Sequence, residues 1–156
     1  AHNAYGSRVN SRYTKKLLEI ADDLNLPDEE KAGLNFNIAM IKVNTMIAYE
    51  AEDFLKDAHK LYLSAFGEDD LNVADTLFWL AKIKTAQREH DTACKYYEEV
   101  LRIFELNFPD GNDMDPSTND LMVILYETLG RSDEATKYVL KSAVETTEDN
   151  PIIKTL

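Results

Sequence analysis

A step of 42 residues recurs along this chain, and it carries a whole pattern of neighbours with it. Ala51, Ala93 and Ala135 stand at that offset. So do Ile38, Leu80 and Met122, then Ala39, Ala81 and Val123, then Leu55, Tyr97 and Val139, then Ala58, Val100 and Ser142. Small and apolar residues thus return together at one period. A period of roughly 20 to 50 residues marks one supersecondary unit used repeatedly, stacked so that neighbours bury a face that one unit alone leaves in water. Function in such a chain is sought on a surface rather than in a closed pocket.

Glycine and proline are scarce, at 5 and 4 residues, and apolar side chains recur at three- and four-residue intervals, so the chain is read as all-α. Val73, Leu77, Leu80, Ala81 and Ile83 form one helical stripe, interrupted from Gln87 to Asp91. Ala93, Tyr96, Tyr97, Val100, Leu101, Phe104 and Phe108 form the next, closed by Pro109-Asp110-Gly111-Asn112. The same two-helix unit precedes it. There Leu34, Ile38, Ala39 and Ile41 are followed, after a break near Ala48, by Ala51, Leu55, Ala58, Leu61 and Tyr62. It follows again as Leu121, Met122, Leu125 and Tyr126, a turn at Gly130 to Asp133, then Ala135, Tyr138, Val139, Ser142 and Ala143. Asp69 or Asn72, and Ser117, Thr118 or Asn119, are the candidate N-caps.

Tyr13, Leu17, Ile20 and Leu24 sit one period ahead of Leu55, His59, Tyr62 and Phe66, so residues 1–31 read as the second helix of an earlier, incomplete repeat. Repeats then occupy 32–73, 74–115 and 116–150 of a single domain. Residues 151–156 either cap the stack or begin a further unit, the chain then being cut from a longer one.

Composition narrows the function. A hydrophobic share of 44% over 156 residues supports one domain with a real core, and no apolar run is long enough for a membrane span. The single cysteine, Cys94, forms no internal disulfide; it is expected buried or half-buried, and the chain is assigned to the cytoplasm. The formal net charge of −12 disfavours nucleic-acid phosphates as a partner and favours basic or neutral peptides. The same carboxylates also serve simply to keep a helical stack soluble.

The run Gly67-Glu68-Asp69-Asp70-Leu71-Asn72-Val73-Ala74, followed by Ala93 and Tyr97, resembles the tetratricopeptide repeat of kinesin light chains, whose period is 42. Tyr126, Gly130, Glu134 and Ala135 match the general repeat. Two departures stand out: Lys42 and Lys84 replace a tyrosine of the pattern, and the link from Asn112 to Pro116 lengthens its loop. The resemblance implies a right-handed α-solenoid of helix-turn-helix units whose first helices line a concave groove for a peptide or protein segment.

Projected on helical spacing, that groove takes Asn37, Met40 and Asn44 from the first unit, Phe78, Lys82 and Thr85 from the second, and Leu121 and Ile124 from the third. Phe36, Val43, Trp79, Asp120, Glu127 and Thr128 flank them. Phe36, Phe78 and Trp79 carry two readings, groove surface or packing between first helices. The lysine, asparagine and arginine set with which one subclass of these proteins holds a C-terminal carboxylate is missing. Of the asparagines that read cargo peptides in kinesin light chains, Asn37 alone has a match.

No nucleophile motif or phosphate-cradling loop is present, and His2, His59 and His90 have no metal-ligand spacing, a lone helical histidine being more often surface than ligand. Asp110 to Asp115 lacks the glycine and glutamate of a calcium loop. The expectation is a non-enzymatic interaction scaffold without cofactor or metal, whose partner is a basic or apolar protein or peptide segment, with neither nucleic acid nor membrane. The alternative is a helical appendage or oligomerisation domain of a larger protein, its groove filled by the same chain or by a second copy through self-association.

Overall fold

The computed structural model describes residues 2–44, 48–111 and 114–148. Among these residues there is no strand. The elements are α1 (His2–Asp23), α2 (Asp28–Asn44), α3 (Ala48–Phe66), α4 (Leu71–Ala86), α5 (His90–Asn107), a 3-10 turn at Pro109–Gly111, α6 (Pro116–Thr128) and α7 (Ser132–Glu148). Helices α2 and α3, α4 and α5, and α6 and α7 pair, and successive pairs meet through α3 against α4 and α5 against α6. This is an all-α solenoid of helix pairs. Residues 151–156, assigned above to a cap or a further unit, lie outside the described residues, as does the side chain of Ser142.

The helix ends are set by side chains one or two positions from those expected. Asp70, not Asp69 or Asn72, caps α4: its carboxylate accepts from the Asn72 backbone N–H at 2.8 Å. Asp115 rather than Ser117, Thr118 or Asn119 caps α6, accepting from the Thr118 N–H at 3.0 Å, with Pro116 in the first turn where no N–H is needed. Three helices stop by the same device. Asn25, Arg88 and Gly130 take positive φ (49°, 63° and 72°), while the next residue donates back to a carbonyl five positions earlier: Leu26 to Ala21, Glu89 to Lys84, Arg131 to Tyr126. Arg88 and Gly130 are one period apart, so the left-handed turn is a property of the repeat, adopted even where an arginine must bear its steric cost.

Packing follows the 42-residue pattern. Ala51, Ala93 and Ala135 are 0%, 2% and 3% exposed, and Ala39, Ala58 and Ala81 are fully buried. Without side chains beyond Cβ they let the backbones of crossing helices approach, while Leu55, Tyr97, Leu80 and Met122 fill the space beside them. Two clusters result: one of Leu55, Leu80 and Ile83 with Ala39 of α2 and Ala51 of α3, and a larger one from Val73, Ala74, Leu77 and Ala81 through Phe104 to Met122, Tyr126 and Tyr138.

Some expected core positions are solvent-facing instead. Val139 is 49% exposed, because the side of α7 turned away from α6 meets no further described helix. Ile41 is exposed on α2, and Tyr13, Leu17 and Ile20 on α1, which offers Thr14 and Ala21 to its neighbour. Cys94 is exposed too: it follows Ala93 on α5, and the 100° turn per residue that points Ala93 inward points Cys94 out.

The register that should hold a tyrosine performs one task with different residues. Lys42, 2% exposed, donates to Glu50 Oε2 at 2.6 Å; Lys84 reaches Glu52 at 2.9 Å and Glu89 at 3.0 Å; Tyr126 Oη donates to Glu105 Oε1 at 2.6 Å. Each links a first helix to a carboxylate on a second helix. Glu52 gathers most: Lys56, Lys84 and Gln87 all hydrogen-bond to it. Burial alone would raise its carboxyl, but those hydrogen bonds outweigh burial and bring it down to about 2.

Three outcomes are expected. Ala93→Leu overpacks the α4–α5 crossing and lowers unfolding free energy by about 1–3 kcal/mol in urea titrations. Arg88→Gly relieves the left-handed strain and raises it by about 1 kcal/mol. Because the Glu52 carboxyl is depressed in the folded state, its contribution is complete above the unfolded value of about 4.3 and fades as pH falls toward 2. Denaturant melts at pH 7 and pH 2.5 should therefore differ less for Glu52→Gln than for the parent.

Candidate functional site

The first helices α2, α4 and α6 carry the residues expected to face a partner. Asn37, Asn44, Lys82, Thr85 and Ile124 are exposed, Ile124 by 55%, whereas Met40, Phe78 and Leu121 are half-buried. Met40 packs with Phe36, Val43 and Trp79 on the α2–α4 core, and Phe78 and Leu121 on the larger core. Phe36, Phe78 and Trp79 are thus all partly sunk between first helices, each retaining some outward surface.

The best-defined constellation lies on α4. Phe78 and Trp79 meet edge-on, ring centroids 6.0 Å apart, and Phe78 also meets Tyr97 at 6.0 Å. Lys82, one turn on, places its Nζ 4.8 Å from the Trp79 centroid and 5.5 Å from that of Phe78. The π-faces hold the ammonium over the surface, an attraction of about 0.5–1 kcal/mol at an exposed site. Lys82 remains exposed to solvent. The hydroxyl of Thr85 donates to its own helix, at Ala81 O (2.9 Å), as Thr128 does to Ile124 O (2.7 Å), so both offer a partner only acceptor lone pairs. Asp120 and Glu127 make the α6 stretch acidic, and Ile124 stands between them.

The structure therefore joins Phe78 and Lys82 through Trp79, and joins Phe78 and Leu121 through a shared core; Asn37 and Asn44 stand two turns apart on the face of α2 opposite Asn35. Sequence reasoning missed the buried asparagines. Asn35 and Asn119, two periods apart, are 6% and 4% exposed, and the Oδ1 of each has no partner among the described residues. The intervening register holds Leu77, and that alternation was the available signal.

His59 departs from the surface reading. Half-buried between α3 and α4, its Nδ1 lies 3.0 Å from Thr76 Oγ1. Because the Thr76 hydroxyl already donates to Val73 O at 2.7 Å, it accepts from the His59 N–H, and burial pushes the imidazole below its ordinary value. His90 is exposed, and the side chain of His2 lies outside the described residues, as does part of the Asp110 to Asp115 loop. Among the described residues no three His, Cys, Asp or Glu gather as a metal-holding group, and no helix is long and apolar enough to cross a membrane.

Paired helices stacked through small residues, with a mixed polar and apolar face on every first helix, define an α-solenoid repeat protein. Residues 32–105 match the family model of the tetratricopeptide repeat, so the chain carries tetratricopeptide repeats over that span. Its fold is similar to the crystal structure of BtubC (BKLC) from P. vanneervenii, with a TM-score of 0.61 and 23% identity over 85% of this chain and 53% of that one. The chain thus spans about half the length of that protein. None of the curated proteins compared matches it.

The burial pattern separates packing from surface by experiment. Phe78→Ala should lower unfolding free energy by about 2–3 kcal/mol, whereas Asn37→Ala and Lys82→Glu, on exposed side chains, should leave the melting temperature nearly unchanged. Calorimetry of the three variants checks this.

Proposed function

We propose that this chain is a non-catalytic interaction module that receives a peptide or protein segment along its first-helix face. Tetratricopeptide repeats are in general protein-interaction modules. The observation that carries the reading here is Lys82 laid over Phe78 and Trp79, with exposed Ile124 and Asn37 on the neighbouring first helices. That combination suits an extended segment. Aromatic and aliphatic surface receives its apolar side chains, the lysine and asparagine hold its polar groups, and Asp120 and Glu127 receive a basic residue at the α6 end. The segment is therefore apolar with a basic terminus, in keeping with the net charge of −12.

A second reading, self-association, is favoured by one observation: the exposed apolar side chains on α1 (Tyr13, Leu17, Ile20) and on α7 (Val139, Leu140). Sedimentation across concentration distinguishes the two. A peptide reader keeps a monomer mass, whereas docking of copies raises it. For the first reading, a peptide display selection on the parent chain should yield sequences whose binding falls about tenfold or more in Lys82→Glu with an unchanged melting temperature. Selected peptides that bind parent and Lys82→Glu equally would remove the first-helix face from consideration.

A further inference from the structure

Helix α1 buries small residues and turns large ones outward. Thr14 and Ala21 are 6% and 3% exposed, whereas Tyr13, Leu17, Ile20 and Leu24 are exposed by 68%, 49%, 42% and 67%. Their spacing of four, three and four residues places all four on one side of the helix, about a quarter-turn from the buried side. Leu24 continues that side, because its N–H still donates to Ile20 O at 3.0 Å. The same register is sealed further along the chain. Leu55 and Tyr97 lie one and two periods after Tyr13, and Leu101 and Phe104 lie two periods after Leu17 and Ile20; all are buried in clusters that include first-helix side chains. The stripe on α1 is therefore a surface of the kind that a helix covers.

Charge on α1 is divided along its length. Arg12, Lys15 and Lys16 come first, and Glu19, Asp22 and Asp23 close the helix. Asp22 is answered within the chain by Lys31 at 2.9 Å, and Lys16 only loosely by Glu19 at 3.6 Å, both of that second pair being exposed. Lys16 and Asp23 each precede a residue of the stripe, Leu17 and Leu24, and so border it along the same edge. Consider a helix of the same sequence laid antiparallel, its Ile20 level with Leu17 and its Leu24 level with Tyr13. That helix carries its Asp23 to Lys16, and a two-fold axis repeats the pair. Laid parallel, the basic stretch would run beside the basic stretch and the acidic beside the acidic. Charge complementarity thus favours a second α1, antiparallel, as the helix that covers the stripe.

We propose that two copies of this chain dock through α1, antiparallel about a two-fold axis, with Leu17 of each against Ile20 of the other, Tyr13 against Leu24, and Lys16 paired with Asp23 across the seam. The pairing rests on the self-association reading and gives it a surface on a helix other than the first helices, so binding of a segment to the first-helix face is decided separately by the selection described above. A seam of one helix face per copy belongs with small interfaces, those under about 1,200 Å², which are weak. The dimer is therefore expected to dissociate on dilution.

The test is sedimentation equilibrium of the full chain over a concentration series, with circular dichroism to check that each variant keeps its helix content. The parent is expected to pass from monomer to dimer as concentration rises, and no further, because a two-fold seam closes on itself. Leu17→Glu should weaken the dimer about tenfold or more, and so should Lys16→Asp and Asp23→Lys, each of which sets like charges opposite one another. The double variant Lys16→Asp/Asp23→Lys should recover the parent's dissociation constant to within about threefold, and so should an equimolar mixture of the two single variants, whose unlike copies complement each other. Should Leu17→Glu lose helix, the variants of exposed Lys16 and Asp23 decide alone, because recovery in the mixture is a property of pairing and not of folding. A monomer at every concentration overturns the proposal together with the self-association reading, and leaves the stripe to another occupant. A dimer that the α1 variants do not weaken overturns the proposal but leaves self-association through another surface, such as exposed Val139 and Leu140 of α7. Weakening that neither the double variant nor the mixture reverses overturns the antiparallel pairing.

Discussion

Close approach of helix backbones at alanine is the constraint from which the rest of this molecule follows. Ala39, Ala51, Ala58, Ala81, Ala93 and Ala135 are essentially sealed from solvent, and each lies at a crossing where a longer side chain would push two helices apart. Because these residues recur every 42 positions, each helix pair brings small side chains to the same register. Leu55, Tyr97 and Leu80 can fill the adjoining spaces only because that distance is set first. The stack is then quasi-one-dimensional, and its stability is spread over neighbour contacts rather than concentrated in one centre.

Polar ties of equal period run across this apolar frame. At one register Lys42, Lys84 and Tyr126 each reach a glutamate on a second helix, so two chemically different side chains meet the same demand for a donor in a half-buried seam. Lys84 and Tyr126 bind carboxylates of the preceding pair, Glu52 and Glu105, and so set how one pair leans on the next. Lys42 instead binds Glu50 within its own pair, and the junction it leaves behind is the one with α1. The irregularity in the polar ties and the exposed apolar stripe of α1 therefore fall at the same end of the stack.

Much of the fold was legible beforehand. Alanine registers and apolar stripes at three- and four-residue spacing place every helix pair, because burial of one helix face demands that periodicity. Caps were misplaced by one or two positions, since Asp69, Asp70 and Asn72, or Asp115 and Ser117, have nearly equal capping chemistry and the choice rests on backbone angles. Of the candidate site, Asn37, Lys82 and Ile124 lie exposed on α2, α4 and α6. The aromatic residues were not separable into groove or core, because Phe78 and Trp79 do both, lying partly sunk and partly open.

From residue order alone came the repeat, the helical class, the small-residue crossings and the acidic character, since each is a periodicity or a sum that needs no coordinates. Which side of each helix stays wet was decided only in three dimensions. Val139 carries the residue type of a core position yet meets no further helix among the described residues, Cys94 turns outward beside a buried alanine, and the Asn35 amide turns back along its own helix. Burial depends on the presence and distance of a neighbour, and a helical period specifies the face of a helix without specifying what stands opposite it.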